Sequence, residues 1–187
     1  MKTKLLKGSI FFFFVATTLT ACKKGENDPF MSLKSRDSRI TGTWKLVDME
    51  TSEIDVSTSS GVTITSSTTD KYDGSLVTET STDPSGTATY TYSYTLTITI
   101  DKSGSYSLTY TIDGDKTEQS GSWWWLNDTK KKTRICMDDD ANSFEVDRLT
   151  NKELTLLQDM YSKDTYASDG STDETTMSTM MKFEKQK

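Results

Sequence analysis

The chain has 187 residues, a net charge of −6 and no histidine. That length suffices for one domain with a real hydrophobic core. An acidic chain with no basic stripe is poorly suited to nucleic acid, and without histidine it lacks the usual general base, the Ser-His-Asp arrangement and most zinc or copper sites.

At the amino terminus Lys2, Lys4 and Lys7 precede the apolar run "IFFFFVATTL". A run of about ten apolar residues has signal-peptide length and is too short to span a bilayer. It ends in Leu19-Thr20-Ala21-Cys22, which resembles the lipobox of bacterial lipoproteins. The resemblance implies that residues 1–21 are removed and that Cys22 carries lipid. Small residues suit a narrow peptidase site, and a thiolate is the nucleophile for lipid transfer. Two or three acyl chains on one residue give stable anchoring where a single chain would not. Residue 23 is lysine, not the aspartate that resembles an inner-membrane retention signal, so a lipid anchor in an outer membrane is expected. "KKGEND" loosely resembles the export tags of Bacteroidetes lipoproteins. Orientation toward the periplasm or the cell surface stays open.

Residues 22–38 show no periodicity and read as the lipidated cysteine and a tether, reaching about 50 Å if extended. The domain is expected over 39–187. Strand signals cover 40–50, 71–80, 89–101, 104–113, 116–126, 132–138, 143–150, 153–161 and 175–185, separated by short polar turn clusters such as "DPSG", "DKSG" and "IDGD". Short links predict that successive strands are antiparallel neighbours. Residues 51–70, rich in serine and threonine, read as a long excursion with one weak strand at 61–66. No helix is predicted.

The run "YTYSYTLTITI" at 90–100 alternates Tyr90, Tyr92, Tyr94, Leu96, Ile98 and Ile100 with hydroxyl residues. The next strand repeats the pattern with Tyr106, Leu108, Tyr110 and Ile112. The aromatic and aliphatic parity is expected to face a shared interior and the threonines a solvated outer wall, since threonine is β-branched yet polar. Such a meander removes its edges by closing. The fold expected is therefore all-β, an antiparallel up-and-down β-barrel of about eight to ten strands. A transmembrane barrel would reverse the two faces. "TRICMD", "FEVDRLT" and "KTEQSGS" lack a clean lipid-facing parity, and a lipid-tethered chain needs no spanning barrel.

"TGTWKLV" at 41–47 heads the first strand with Gly42-x-Trp44. This resembles the first-strand motif of the lipocalins. The layout from "KSRDSRITGTW" to "MMKFEK" is similar to that of lipocalin-like lipoproteins of the Bacteroidetes, over about 36–187. The resemblance implies a lipocalin-like (calycin-like) barrel with Trp44 closing its floor. It also implies a basic residue of the last strand packed across that tryptophan, either Lys182 or Lys185, and a first inter-strand loop, 51–70, lying over the open end. There Ile54, Val56, Val62 and Ile64 would cap the mouth. Gly42 has its own physical reading, a position where the chain passes so close that a side chain would obstruct it.

In "GSWWWL" Trp123 and Trp125 share one parity and Trp124 the other. With Tyr92 and Tyr94, Trp123 and Trp125 are the candidate lumen and ligand residues, because aromatic faces suit apolar rings and sugars. The plainer reading is that they fill a core. Outward Trp124 could mark a partner surface. Asp113-Gly114-Asp115 and Asp138-Asp139-Asp140 lack the ordered carboxylate ladder of a calcium loop and read as solvated turns. With Cys22 lipidated, Cys136 has no disulfide partner and reads as a small buried hydrophobe. No catalytic, metal or cofactor constellation is present. The expectation is a monomeric, non-catalytic lipoprotein of the cell envelope that binds a small apolar or amphipathic ligand in its lumen. The alternative is a structural or protein-interaction module, or an inhibitory or accessory subunit, with a barrel filled by its own side chains and a protein partner in the envelope.

Overall fold

The computed structural model describes residues 34–126, 132–167 and 169–187. The lipobox, Cys22 and most of the tether lie outside the described residues. A short helix α1 (Arg36–Ile40) precedes β1 (Gly42–Ser59), β2 (Val62–Tyr72), β3 (Leu76–Asp83), β4 (Gly86–Ile100) and β5 (Ser105–Ile112). There follow β6 (Asp115–Trp125), β7 (Arg134–Met137), β8 (Asp139–Leu149), β9 (Glu153–Thr165) and β10 (Thr172–Lys185). Each strand is antiparallel to its neighbours, and β10 returns to pair with β1, so the sheet closes in an up-and-down, barrel-like ring.

The ring is not uniform along its axis. At its start β1 pairs directly with β4, Gly42 opposite Ile100 and Lys45 opposite Thr97. From Met49 onward it pairs with β2 instead. The ten strands of the wall therefore become eight at the base, where β2 and β3 drop out. A bulge in β1 between Leu46 and Asp48 marks the change of partner, as expected where an extra residue re-aims a strand. The β2–β3 turn sits at this fork. Asp73 Oδ1 accepts from the amides of Ser75 (3.0 Å) and Leu76 (2.9 Å), and the Ser75 carbonyl accepts from the Tyr94 amide (3.0 Å).

The base is packed shut. Trp44, Leu46, Ile98, Ile100, Ile135, Val146, Leu149, Leu154, Leu156 and Phe183 are all buried. They share the inner parity of their strands, so the alternation read at 90–100 does direct Leu96, Ile98 and Ile100 inward. The outer wall is hydroxyl-rich, with cross-strand pairs such as Thr43 and Thr99 (3.1 Å).

Three expectations are corrected. Residues 51–70 are not a loop over the mouth. They are the upper half of β1 and most of β2, joined by a tight turn at Ser60 and Gly61, both with positive φ (51° and 78°). Two adjacent positive-φ residues match the right-handed twist of the flanking strands. Ile54, Val62 and Ile64 are exposed and cap nothing. The strand read at 71–80 is interrupted by the turn at the fork. Finally, α1 begins within the segment read as tether. Ser35 caps it through the Ser38 amide (3.2 Å), and Arg36, Arg39 and Ile40 are buried.

Candidate functional site

Helix α1 plugs the base of the ring. Arg36 donates to the carbonyls of Lys132 (2.7 Å) and Val146 (3.0 Å), and Arg39 to that of Leu149. Trp44 Nε1 donates to the Ile40 carbonyl at 2.6 Å. Of the two basic residues weighed for Trp44, Lys185 lies over its ring, 4.8 Å from the centroid, while Lys182 is exposed and pairs with Asp48. Gly42 is required because a Cβ there would sit 2.5 Å from Lys185 Cε, and its φ of +129° disfavours any side chain.

The four candidate lumen residues form two groups. Trp123 and Trp125 lie at the base, edge to face at 5.9 Å. Trp123 Nε1 donates to the Asp101 carbonyl (2.8 Å) and Trp125 Nε1 to Asp37 Oδ1 (2.7 Å), while Arg36 lies 5.9 Å from the Trp125 centroid. Both indoles are thus engaged by the protein itself. Tyr94 meets Tyr72 edge to face at 5.8 Å near the fork, and Tyr92 lies opposite Val77 on the same inner parity. Tyr90, one step further from the base, is 60% exposed. Trp124 points outward and donates to Asp140 Oδ1 (3.2 Å).

Above the fork the inner face changes character. Thr51, Glu53 and Asp55 of β1 continue the inner parity of Met49, and Asp70 and Thr68 of β2 continue that of Tyr72. Asp70 stands directly opposite Glu79 of β3. Burial, then Glu79, holds the Asp70 carboxyl above the usual carboxylate range. Burial, then Asp55 and Asp70, does the same for Glu53. Burial, then Asp70 and Glu79, pushes the Tyr92 phenol up. Asp55 accepts from Thr175 (2.6 Å). Two buried atoms here have no hydrogen-bond partner, Asp70 Oδ1 and the hydroxyl of Tyr72, whose residue is only 3% exposed. This acidic, tyrosine-lined interior escaped the sequence reading because its β1 and β2 residues fell in the presumed loop. The alternation Thr51, Glu53, Asp55 was the available signal.

The other acidic clusters serve the fold. Asp113 Oδ1 accepts from the Ser93 amide (2.8 Å), and Asp138 accepts from the Ser122 amide (2.9 Å) and the Tyr106 hydroxyl (2.7 Å). Among the described residues, no three His, Cys, Asp or Glu side chains converge closely enough to hold a metal ion. Cys136 is fully buried on the outer face beside Asp140. A separate surface groove of about 440 Å³ runs over β1, β8, β9 and β10, between Val47, Arg148, Met180 and Lys182. Comparison with protein-family models, curated proteins and solved structures returned no match.

Proposed function

We propose that the chain is a lipid-anchored lipoprotein of the bacterial envelope, held at an outer membrane through Cys22. Its ring then acts as a lipocalin-like, non-catalytic binding module that takes a small amphipathic ligand in its upper interior. The lipobox supports the anchor, and the Gly42-x-Trp44 heading, Lys185 stacked on Trp44 and a helix across the base support the lipocalin-like reading of the ring. The observation that carries ligand binding is the contrast along the axis. The base is sealed by apolar packing, while above the fork buried polar atoms of Asp70 and Tyr72 face inward without partners. Buried polar groups without partners are costly, about 1–3 kcal/mol each, and a ligand can supply what they lack.

The anchor is tested by Cys22→Ser, which should leave the protein unlipidated and shed from membranes. Unchanged detergent partitioning and mature mass would refute it. The interior is tested with the neutral dye N-phenyl-1-naphthylamine. Saturable fluorescence is expected from folded protein and should be lost in Thr68→Trp, which places an indole between Glu53 and Ser81 on the inner face. A second reading, a side-chain-filled interaction module, is favoured by the engagement of Trp123 and Trp125 with Asp101 and Asp37. Absence of saturable dye binding in either protein would select it.

A further inference from the structure

The upper interior concentrates negative charge where a protein gains nothing by it. Asp70 and Glu79 are direct cross-strand neighbours on the inner face, and like charges so placed destabilise a sheet. Glu53 adds a third carboxylate within electrostatic reach of Asp70. Among the described residues, no lysine or arginine pairs with Glu53, Asp70 or Glu79. The lysine nearest in sequence, Lys71, has the opposite parity and pairs with Glu50 on the outer face. A solvated surface would tolerate this arrangement. Here, however, Asp70 Oδ1 is buried, and two residues further along the same inner face the Tyr72 hydroxyl is buried and unpartnered.

We propose that the ligand of this interior is a small organic cation, an amine or quaternary ammonium that carries an apolar or aromatic portion. This rests on the reading of the upper interior as a binding site. Asp70 and Glu79 would face the cationic head, with Glu53 completing the negative wall. The phenol oxygen of Tyr92, on which Asp70 and Glu79 both act, can accept from an N–H, and the rings of Tyr92 and Tyr94 offer faces to the cation and its apolar part. The carboxylates do not converge as a metal site requires. They are spread over the three strands β1, β2 and β3.

The test uses the full lipidated chain in a non-ionic detergent and calorimetric titration with three probes of matched skeleton. These are 2-phenylethylammonium, 2-phenylethanol and 3-phenylpropanoate. The ammonium should bind about tenfold or more tightly than the alcohol, and the anion most weakly. Asp70→Asn and Glu79→Gln should each bring the ammonium toward the alcohol's affinity, while Glu50→Gln, on the outer face, changes nothing. If the alcohol binds as tightly as the ammonium and neither inner-face substitution matters, the cation inference falls and the binding interior stands. The cation inference likewise falls alone if none of the three binds up to about 10 mM while the naphthylamine dye still does so and Thr68→Trp still blocks it. If the dye and all three probes fail together, both inferences fall.

Discussion

Lys185 Nζ lies 4.8 Å from the centre of the Trp44 ring and donates to the carbonyls of Arg39 (2.9 Å) and Thr41. The last strand thereby holds both the first strand and the end of α1. The ammonium serves two purposes. It satisfies carbonyls that the end of a short helix leaves open, and it covers the face of a fully buried indole. Burial, with a smaller contribution from Lys34, lowers the Lys185 ammonium below its usual range.

Truncation of this unit should be costly. Trp44→Ala removes a buried indole whose Nε1 is bonded to Ile40, and a loss of about 3–5 kcal/mol is expected in denaturant unfolding. Lys185→Met keeps the stem but abandons two carbonyls, at about 1–3 kcal/mol. Gly42→Ala should destabilise as well, because its Cβ would meet the Lys185 stem. In a double-mutant cycle with Lys185→Ala the two losses should sum to more than the pair's own loss. Full additivity would show that the backbone angle at Gly42 acts alone.

A second junction joins Gly121, Tyr106 and Asp138. The Asp138 carboxylate occupies the place of a Gly121 Cβ, 1.9 Å from Oδ1, and accepts the Tyr106 hydroxyl and the Ser122 amide. These donors lower the Asp138 carboxyl, Tyr106 first. Burial, then Asp138, pushes the Tyr106 phenol up to about 12. The neutral phenol is the favoured form in the folded protein. Its contribution is complete below the ordinary tyrosine range and is lost as pH rises through the raised value. Several phenols are raised in the folded protein, so the Tyr106 step is identified by difference. Ultraviolet titration should lose a component at about 12 in Tyr106→Phe, and that component should shift down in Asp138→Asn. An unmoved titration in Asp138→Asn would mean that the hydrogen bond does not hold the phenol.

The closed sheet was legible because Tyr94 to Ile100 and Trp44 with Leu46 alternate cleanly, and the links between strands are too short for crossovers. Helix α1 was not, since "RDSRI" is too short for a periodic signal and gains its place from tertiary bonds of Arg36 and Arg39. The stretch 51–70 misled for a different reason. Its serines and threonines resemble loop composition, yet Thr51 pairs with Thr179 and Thr58 with Thr63 across strands (3.3 and 3.1 Å), where β-branching favours the sheet. Consequently Asp70 and Glu53 could not be placed inside.

Cys136 should behave as a buried hydrophobe. It has no exposed surface, and burial, then Asp140, raises its thiol above the usual range. Ellman's reagent should leave it unmodified in the folded protein and modify it at the rate of unfolding in denaturant. Rapid reaction in native buffer would show that β7 opens locally.

Asp70 offers a stability test of the acidic interior that needs no ligand. Its carboxyl is held above the usual range, so the folded protein disfavours the ionised form. Below the unfolded carboxylate range both states carry the proton and no penalty applies. The penalty appears as pH rises through the raised range and is complete at neutrality. Asp70→Asn should therefore stabilise the ligand-free protein near pH 7 by about 0.5 kcal/mol, the scale of a cross-strand like-charge pair. For a chain of this size that is a rise of about 1–2 °C in melting temperature. The gain should shrink on acidification and be absent near about pH 3. Melting curves of both proteins across that range decide the matter. A gain independent of pH would point to packing rather than charge, and destabilisation at neutrality would show that the Asp70 carboxylate is satisfied in the folded state.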